Sequence, residues 1–300
     1  MKKNSLAFAL VIMAIIMAAC GGTTPSIVTS TTKPITLTPV NILPLPQNTL
    51  AEAAPLFNGG IWILSGTNNA KSISEYDVTS QSVVNKVPVS SNSQSLATVS
   101  GEYLALGTAT TKFSGALYIY DGITGALTHT IPMPGSVSSI SSSQELNIIY
   151  ALVNVPNARS IVSIDLTTFK VQNSFPVASN AISISIGVDP KTMFVLQGDG
   201  TVDSISSSNG TISSQLKAGD TGTSLALSGN LLNLLVLKCA LSICNIAVVN
   251  TSTDQVEAAL PAPQGCVAIQ FSPGGTFLYD VVSYLAASNL QVFDVHKYVS

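Results

Sequence analysis

The chain has 300 residues and a formal net charge of −3, with 9% charged against 46% hydrophobic residues. An average soluble protein carries about 25% charged residues, so polar surface here must come from Ser, Thr, Asn and Gln, as suits a secreted or envelope protein. Arg159 is the single arginine, and without clustered Lys and Arg there is no electrostatic footprint for a nucleic-acid partner.

Met1-Lys2-Lys3 is a short basic start. The uncharged apolar run Leu6–Ala19 falls short of the ~20 residues needed to span a bilayer and fits the h-region of a secretory leader. It ends Met17-Ala18-Ala19-Cys20-Gly21-Gly22, which resembles a bacterial lipobox with Met17 where leucine is usual. The resemblance implies a leader over 1–19, diacylglyceryl transfer to the Cys20 sulfur, cleavage before Cys20 and acylation of its new amine by a palmitate-like chain. Two or three such chains, at ~0.8 kcal/mol per buried methylene, anchor stably where one does not. The expected location is the bacterial cell envelope, extracytoplasmic, with the membrane as partner through the anchor. The plain alternative is an ordinary leader with an incidental cysteine. Residues 20–34 are Ser/Thr/Pro-rich without apolar periodicity and read as a flexible tether.

Residues 35–300 are repetitive. Large apolar residues recur at Trp62, Leu106, Tyr150, Phe194, Leu235 and Tyr279, with a spacing of about 44 residues and one shorter interval. In phase with them run Asp77, Asp121, Asp165, Ser206, Asn250 and Asp294, and a third series, Pro44, Pro88, Pro132, Pro176 and Pro261. Short apolar runs separated by turn signals indicate all-β structure, and four strands per unit of this length is the blade of a β-propeller. The expected fold is therefore one all-β domain over 35–300, a single propeller of six four-stranded blades. The last unit lacks a fourth strand. The extended apolar segment Ile35–Pro46, whose Pro44 sits one period before Pro88, is expected to supply it and close the ring. Seven blades would require a further copy of the repeat.

Phe271–Tyr279 (FSPGGTFLY), followed by Asp294, resembles the YVTN-type β-propeller repeat. Tyr120–Gly125 (YDGITG), Ile164–Thr168 (IDLTT) and Val188–Val195 (VDPKTMFV) are similar to parts of the same pattern. The resemblance implies the fold and leaves the ligand open.

The repeated polar residues Asp77, Asp121, Asp165, Asn250 and Asp294 look like a ring of acids, yet each ends a third strand before a turn. There, Asp and Asn accept backbone N–H groups two residues on, so we read them as structural turn residues, assisted by Ser80, Thr124, Thr168 and Thr253. The expected tunnel strands (SLATV, VSSIS, AISIS, SLALS and VAIQF) offer Ser, Thr, Ala and Gln but no acid, base or metal ligand, and Glu52 is the one charge near the first strand of unit one. His129 belongs to an outer strand and His296 to a rim turn, out of reach of a common reacting centre. Asp203 and Asp280 are not explained by a turn, and an ion site would be sought there. In KCALSICN, a Cys239–Cys244 bridge would close a hairpin in an oxidising envelope; a Cys244–Cys266 bridge or free thiols are the alternatives. The functional expectation is a non-enzymatic binding or scaffold module without catalytic, cofactor or metal residues, engaging an envelope protein or glycan. Its contact surface is expected on the loops Ser65–Ser74 and Gly107–Gly115. The competing reading is an envelope enzyme, a lactonase-like hydrolase or a quinone-cofactor propeller.

Overall fold

A computed structural model describes residues 37–46, 48–53, 60–67, 69–77, 80–187, 189–228, 233–240, 243–272, 277–284 and 287–295. The leader, Cys20, the tether, His296 and the Pro-Gly-Gly of the last repeat lie outside the described residues.

The described chain is a succession of strands. The first, β1 (Asn41–Leu45), stands apart in sequence from its sheet. Blade one is β2 (Thr49–Ala53), β3 (Gly60–Thr67), β4 (Ala70–Asp77) and β5 (Ser82–Val89). Blade two is β6 (Ser93–Val99), β7 (Tyr103–Thr108), β8 (Gly115–Asp121) and β9 (Leu127–Met133). Blade three is β10 (Ser136–Ser143), β11 (Ile148–Val155), β12 (Ala158–Asp165) and β13 (Lys170–Val177). Blade four is β14 (Ala181–Ile186), β15 (Thr192–Gln197), β16 (Thr201–Ser206) and β17 (Ile212–Lys217). Blade five is β18 (Ser224–Leu227), β19 (Asn233–Ala240), β20 (Ile243–Asn250) and β21 (Gln255–Ala262). Blade six holds β22 (Cys266–Phe271), β23 (Phe277–Tyr284) and β24 (Ala287–Asp294). Each blade is an antiparallel sheet, and the innermost strands β2, β6, β10, β14, β18 and β22 meet their neighbours around a closed ring. This is a six-bladed β-propeller. A seventh blade does not occur among the described residues.

The missing fourth strand of blade six is β1. It runs antiparallel to β24, with Asn41 opposite Val292 and Leu45 opposite Ser288. The strand is shorter than the apolar segment Ile35–Pro46 suggested, but Pro44 has the expected place. Pro44 can sit there because β1 is an edge strand, where a missing N–H costs no ladder bond.

Alternation along each strand sends successive side chains to opposite faces, and each face packs on a different neighbour. In β3, Trp62 and Leu64 join Leu96, Leu104, Leu106 and Tyr120 of blade two. Ile61 and Ile63 of the same strand join Leu43, Tyr279, Val281 and Leu290 of blade six. In β23 the division repeats, with Leu278 turned to Leu237 and Ile246 of blade five and Tyr279 turned to blade one. The large residues that set the sequence period are thus the ones wedged between blades.

The closing strand contributes apolar surface as well as hydrogen bonds, since Leu43 is fully buried. Leu43→Ala should cost ~2–5 kcal/mol, the range for truncating a buried leucine. Urea denaturation of the two proteins checks this, and a loss below ~1 kcal/mol would show that β1 is dispensable to the closed ring.

Candidate functional site

The two faces of the ring are built differently. On one face lie the turns from third to fourth strand, which hold the periodic acids. Asp121 Oδ1 accepts the backbone N–H of Ile123 at 3.0 Å and of Thr124 at 2.7 Å, and the Thr124 hydroxyl at 2.8 Å. Asp165 Oδ1 accepts from the N–H of Thr167 and Thr168 at 2.8 and 2.7 Å and from the Thr168 hydroxyl at 3.1 Å. Asn250 Oδ1 accepts from the N–H of Ser252 and Thr253 at 2.9 and 3.2 Å, and Asp77 from Ser80 N–H at 3.3 Å. Asp294 ends β24 in the corresponding place. These donors hold the carboxyls of Asp121 and Asp165 below the ordinary aspartate range, with the Thr124 and Thr168 N–H groups acting most strongly.

The same turns share a backbone signature. Four residues after Asp77, Asp121, Asp165, Ser206 and Asn250 comes a left-handed residue: Gln81 (φ 54°), Gly125 (71°), Phe169 (53°), Gly210 (74°) and Asp254 (52°). A turn closed by a left-handed residue, with a one-residue register shift alongside, is the common longer hairpin connection. The shifts fall at Glu75/Tyr76, Ile119/Tyr120, Ser163/Ile164, Ser204/Ile205 and Val248/Val249. The turns also touch the preceding blade. A Cβ on Gly125 would stand 2.7 Å from Val87 of blade one, and one on Gly210 2.5 Å from Phe175 of blade three. In blade three the position is Phe169, whose ring instead stacks on exposed His129 of blade two at 3.6 Å between centroids. His129 is therefore a packing partner at a blade boundary.

The other face carries the tunnel mouth. Five inner strands share a bulge near their start, where one residue has no partner on the second strand: Leu50, Gln94, Ser138, Ile182 and Val267. All five line the central cavity, which measures about 420 Å³. A bulge re-aims a side chain, and here its repetition sets a collar of neutral residues around one mouth. Deeper in, the serines are spent between blades. Ser95 Oγ donates to the Val137 carbonyl at 3.3 Å and Ser142 Oγ to the Thr98 carbonyl at 3.2 Å. Ser139 Oγ and Ser141 Oγ accept the N–H groups of Ile184 and Ile186 at 3.2 and 3.0 Å. Glu52 lies opposite Ile63 in β2, and its side chain is outside the described residues.

The hairpins from second to third strand surround the same mouth, because the start of each inner strand pairs with the end of the second. Of the two expected contact loops, only one is a loop. Residues 109–114 connect β7 to β8, with Phe113 exposed and the Lys112 ammonium 5.3 Å from its ring centre. Ser65–Ser74 is a correction: Ser65 to Thr67 and Ala70 to Ser74 are strand, paired across a tight hairpin from Ser65↔Ser72 to Thr67↔Ala70. Polar Ser, Thr and Lys residues there read as loop, but they alternate on a two-stranded extension. In blade five the hairpin carries a Cys239–Cys244 disulfide between directly opposed residues, with Ile243 exposed beside it. Cys266 is buried outside this disulfide, its Sγ donating to the Ala268 carbonyl at 3.6 Å.

Asp203 and Asp280 stand outside both faces. Asp203 is buried in β16 and accepts from Gln197 Nε2 at 2.8 Å and Gln215 Nε2 at 2.7 Å. Neither glutamine was singled out in the sequence, because their convergence depends on β15–β16–β17 register. Asp280 is fully buried in β23, on the face shared with Leu278, and neither carboxylate oxygen has a hydrogen-bond partner. Burial pushes its pKa up to about 8. Among the described residues, no three of His, Cys, Asp and Glu gather closely enough to hold a metal ion.

Two titration effects of opposite sign are expected. Asp280 binds its proton more tightly folded than unfolded, so its contribution is most favourable in acid and declines as pH rises from about 4 to about 8. Asp280→Asn should raise the melting temperature at alkaline pH and leave it nearly unchanged near pH ~4; parallel profiles for the two proteins would refute the assignment. Asp121 and Asp165 behave oppositely, their stabilisation being present above the unfolded pKa and lost as pH falls through the lowered folded value. The melting-temperature deficit of Asp165→Ala should be present at neutral pH and close in acid.

No family model matches the chain, and no curated protein matches it. Among solved structures, a chain of Kuenenia stuttgartiensis hydrazine synthase is similar in fold, with a TM-score of 0.65 and 13% identity over 83% of this chain and 84% of that one. At that identity the likeness is one of fold alone.

Proposed function

We propose that the protein is a lipid-anchored bacterial envelope β-propeller, of the type that the YVTN-like repeats resemble, and that it works as a non-enzymatic binding module through the face bearing the bulged tunnel mouth. The observation that carries this reading is the repeated bulge, which sets Leu50, Gln94, Ser138, Ile182 and Val267 around one opening. The same face presents exposed Phe113 on the hairpin of blade two and exposed Ile243 on the hairpin of blade five, across the ring from it. Rigid scaffolds carry recognition on loops, and aromatic anchors dominate contact energies. A collar of aliphatic, hydroxyl and amide side chains suits a neutral partner surface, protein or glycan. The turn acids of the opposite face are engaged in their own hairpins, which supports assigning them to structure.

The anchor and the face are tested separately. Mass spectrometry of the purified protein should find acyl chains on an amino-terminal Cys20, and Cys20→Ser should leave the membrane fraction. A photocrosslinking residue at Phe113 or Ile243, in intact cells, should give a discrete adduct. The same residue at exposed Val84, on the outer strand of blade one, should not. Equal labelling at all three positions would remove the case for a dedicated face.

A further inference from the structure

A second cavity lies away from the tunnel, in the circumference between blades three and four. It measures about 300 Å³ and is walled by Val177 and Ala178 of blade three and by Val195, Ile205 and Ile212 of blade four, with Asp203 as its acid. The walls are aliphatic, and a pocket of about this volume is at the lower end of the range for small-molecule sites. Ile212 is exposed, so the cleft opens to solvent at the outer rim.

The state of Asp203 is what makes the cleft more than a packing defect. The residue is 3% exposed, and among the described residues the hydrogen bonds to its carboxyl come from the neutral amides of Gln197 and Gln215. A carboxylate has about four acceptor positions, so two amide donors leave it with capacity. Burying a carboxylate without a counter-charge is costly. The cation placed to supply one is turned away: Lys217, two positions beyond Gln215 on the same face of β17, pairs instead with Asp199 at 3.5 Å. The two glutamines hold the carboxylate in place without neutralising it. They leave an oriented carboxyl group at an aliphatic wall.

The geometry points to a binding site for a primary alkylammonium, the cation meeting Asp203 and the short alkyl chain lying against Val177, Ala178 and Ile205. Both halves of the probe are needed, since the cleft supplies one charge and otherwise apolar surface. This site is separate from the proposed tunnel-face module and does not depend on it.

Isothermal titration of the whole protein with n-hexylammonium, 1-hexanol and hexanoate tests the assignment. One molecule of n-hexylammonium should bind, at least about tenfold more tightly than the isosteric alcohol, with no binding of hexanoate. Asp203→Asn should weaken n-hexylammonium at least about tenfold. Ala178→Phe, which fills the cleft from its mouth and leaves the carboxylate intact, should do the same, and it keeps the test open if Asp203→Asn does not fold. Three results would overturn the site: no binding of n-hexylammonium, equal binding of the alcohol, or n-hexylammonium binding that survives Ala178→Phe in a folded protein.

Discussion

A blade of this protein has no face of its own. Each sheet buries both sides, one against the blade before and one against the blade after, and the two sides are drawn from alternate residues of the same strands. Trp62 belongs to the boundary of blades one and two while Ile61 and Ile63 belong to that of blades six and one. A single four-stranded sheet removed from the ring would expose two aliphatic surfaces at once. Apolar burial of ~25 cal/mol per Å² is thus available only to the closed assembly, and β1, which completes the last sheet, is as much a part of blade one's core as of blade six's.

That dependence explains what could be read in the sequence. The wedge residues must be large and apolar at every boundary, so Trp62, Leu106, Tyr150 and their counterparts keep a period. The turns must repeat as well, and the series of Asp and Asn keeps its own. Six blades and their strand order follow from those two series, and the closing strand from the proline series that begins at Pro44. Features that depend on register rather than on period were hidden. The bulges at Gln94 or Ile182 add one residue without altering the spacing of the wedges. The meeting of Gln197, Asp203 and Gln215 requires knowing which residues stand opposite each other across three strands. The error at Ser65–Ser74 has the same origin, since polar residues on an extended hairpin that leaves the core look like loop. Hydrophobic alternation marks a strand only where one of its faces is covered.

The scarcity of charge has a structural counterpart. Serine hydroxyls bridge the inner strands, reaching from Ser95 to Val137 and from Ile186 to Ser141. Inner strands of different blades do not form a ladder with one another, and their free backbone groups need partners. A hydroxyl can donate or accept as its position demands, and a charged side chain cannot do both. Serine along the tunnel is therefore a jointing material between sheets. The turns of blades two, three and five show a parallel economy, each using one carboxylate or amide oxygen, of Asp121, Asp165 or Asn250, to satisfy two backbone donors.

Closure by β1 also imposes an order on assembly. Of the described strands, β1 is the first to leave the ribosome and its partner β24 the last. Local hairpins within blades one to five are able to form as soon as their strands exist, but Leu43 and Leu45 have no surface to cover until nearly the whole chain has emerged. Contacts of such long sequence separation are slow to form, and through that interval two apolar flanks, those of blades one and six, remain uncovered. The nascent propeller is an open arc with two adhesive ends, and the edges that would pair with each other in one molecule are the same edges that would pair between two.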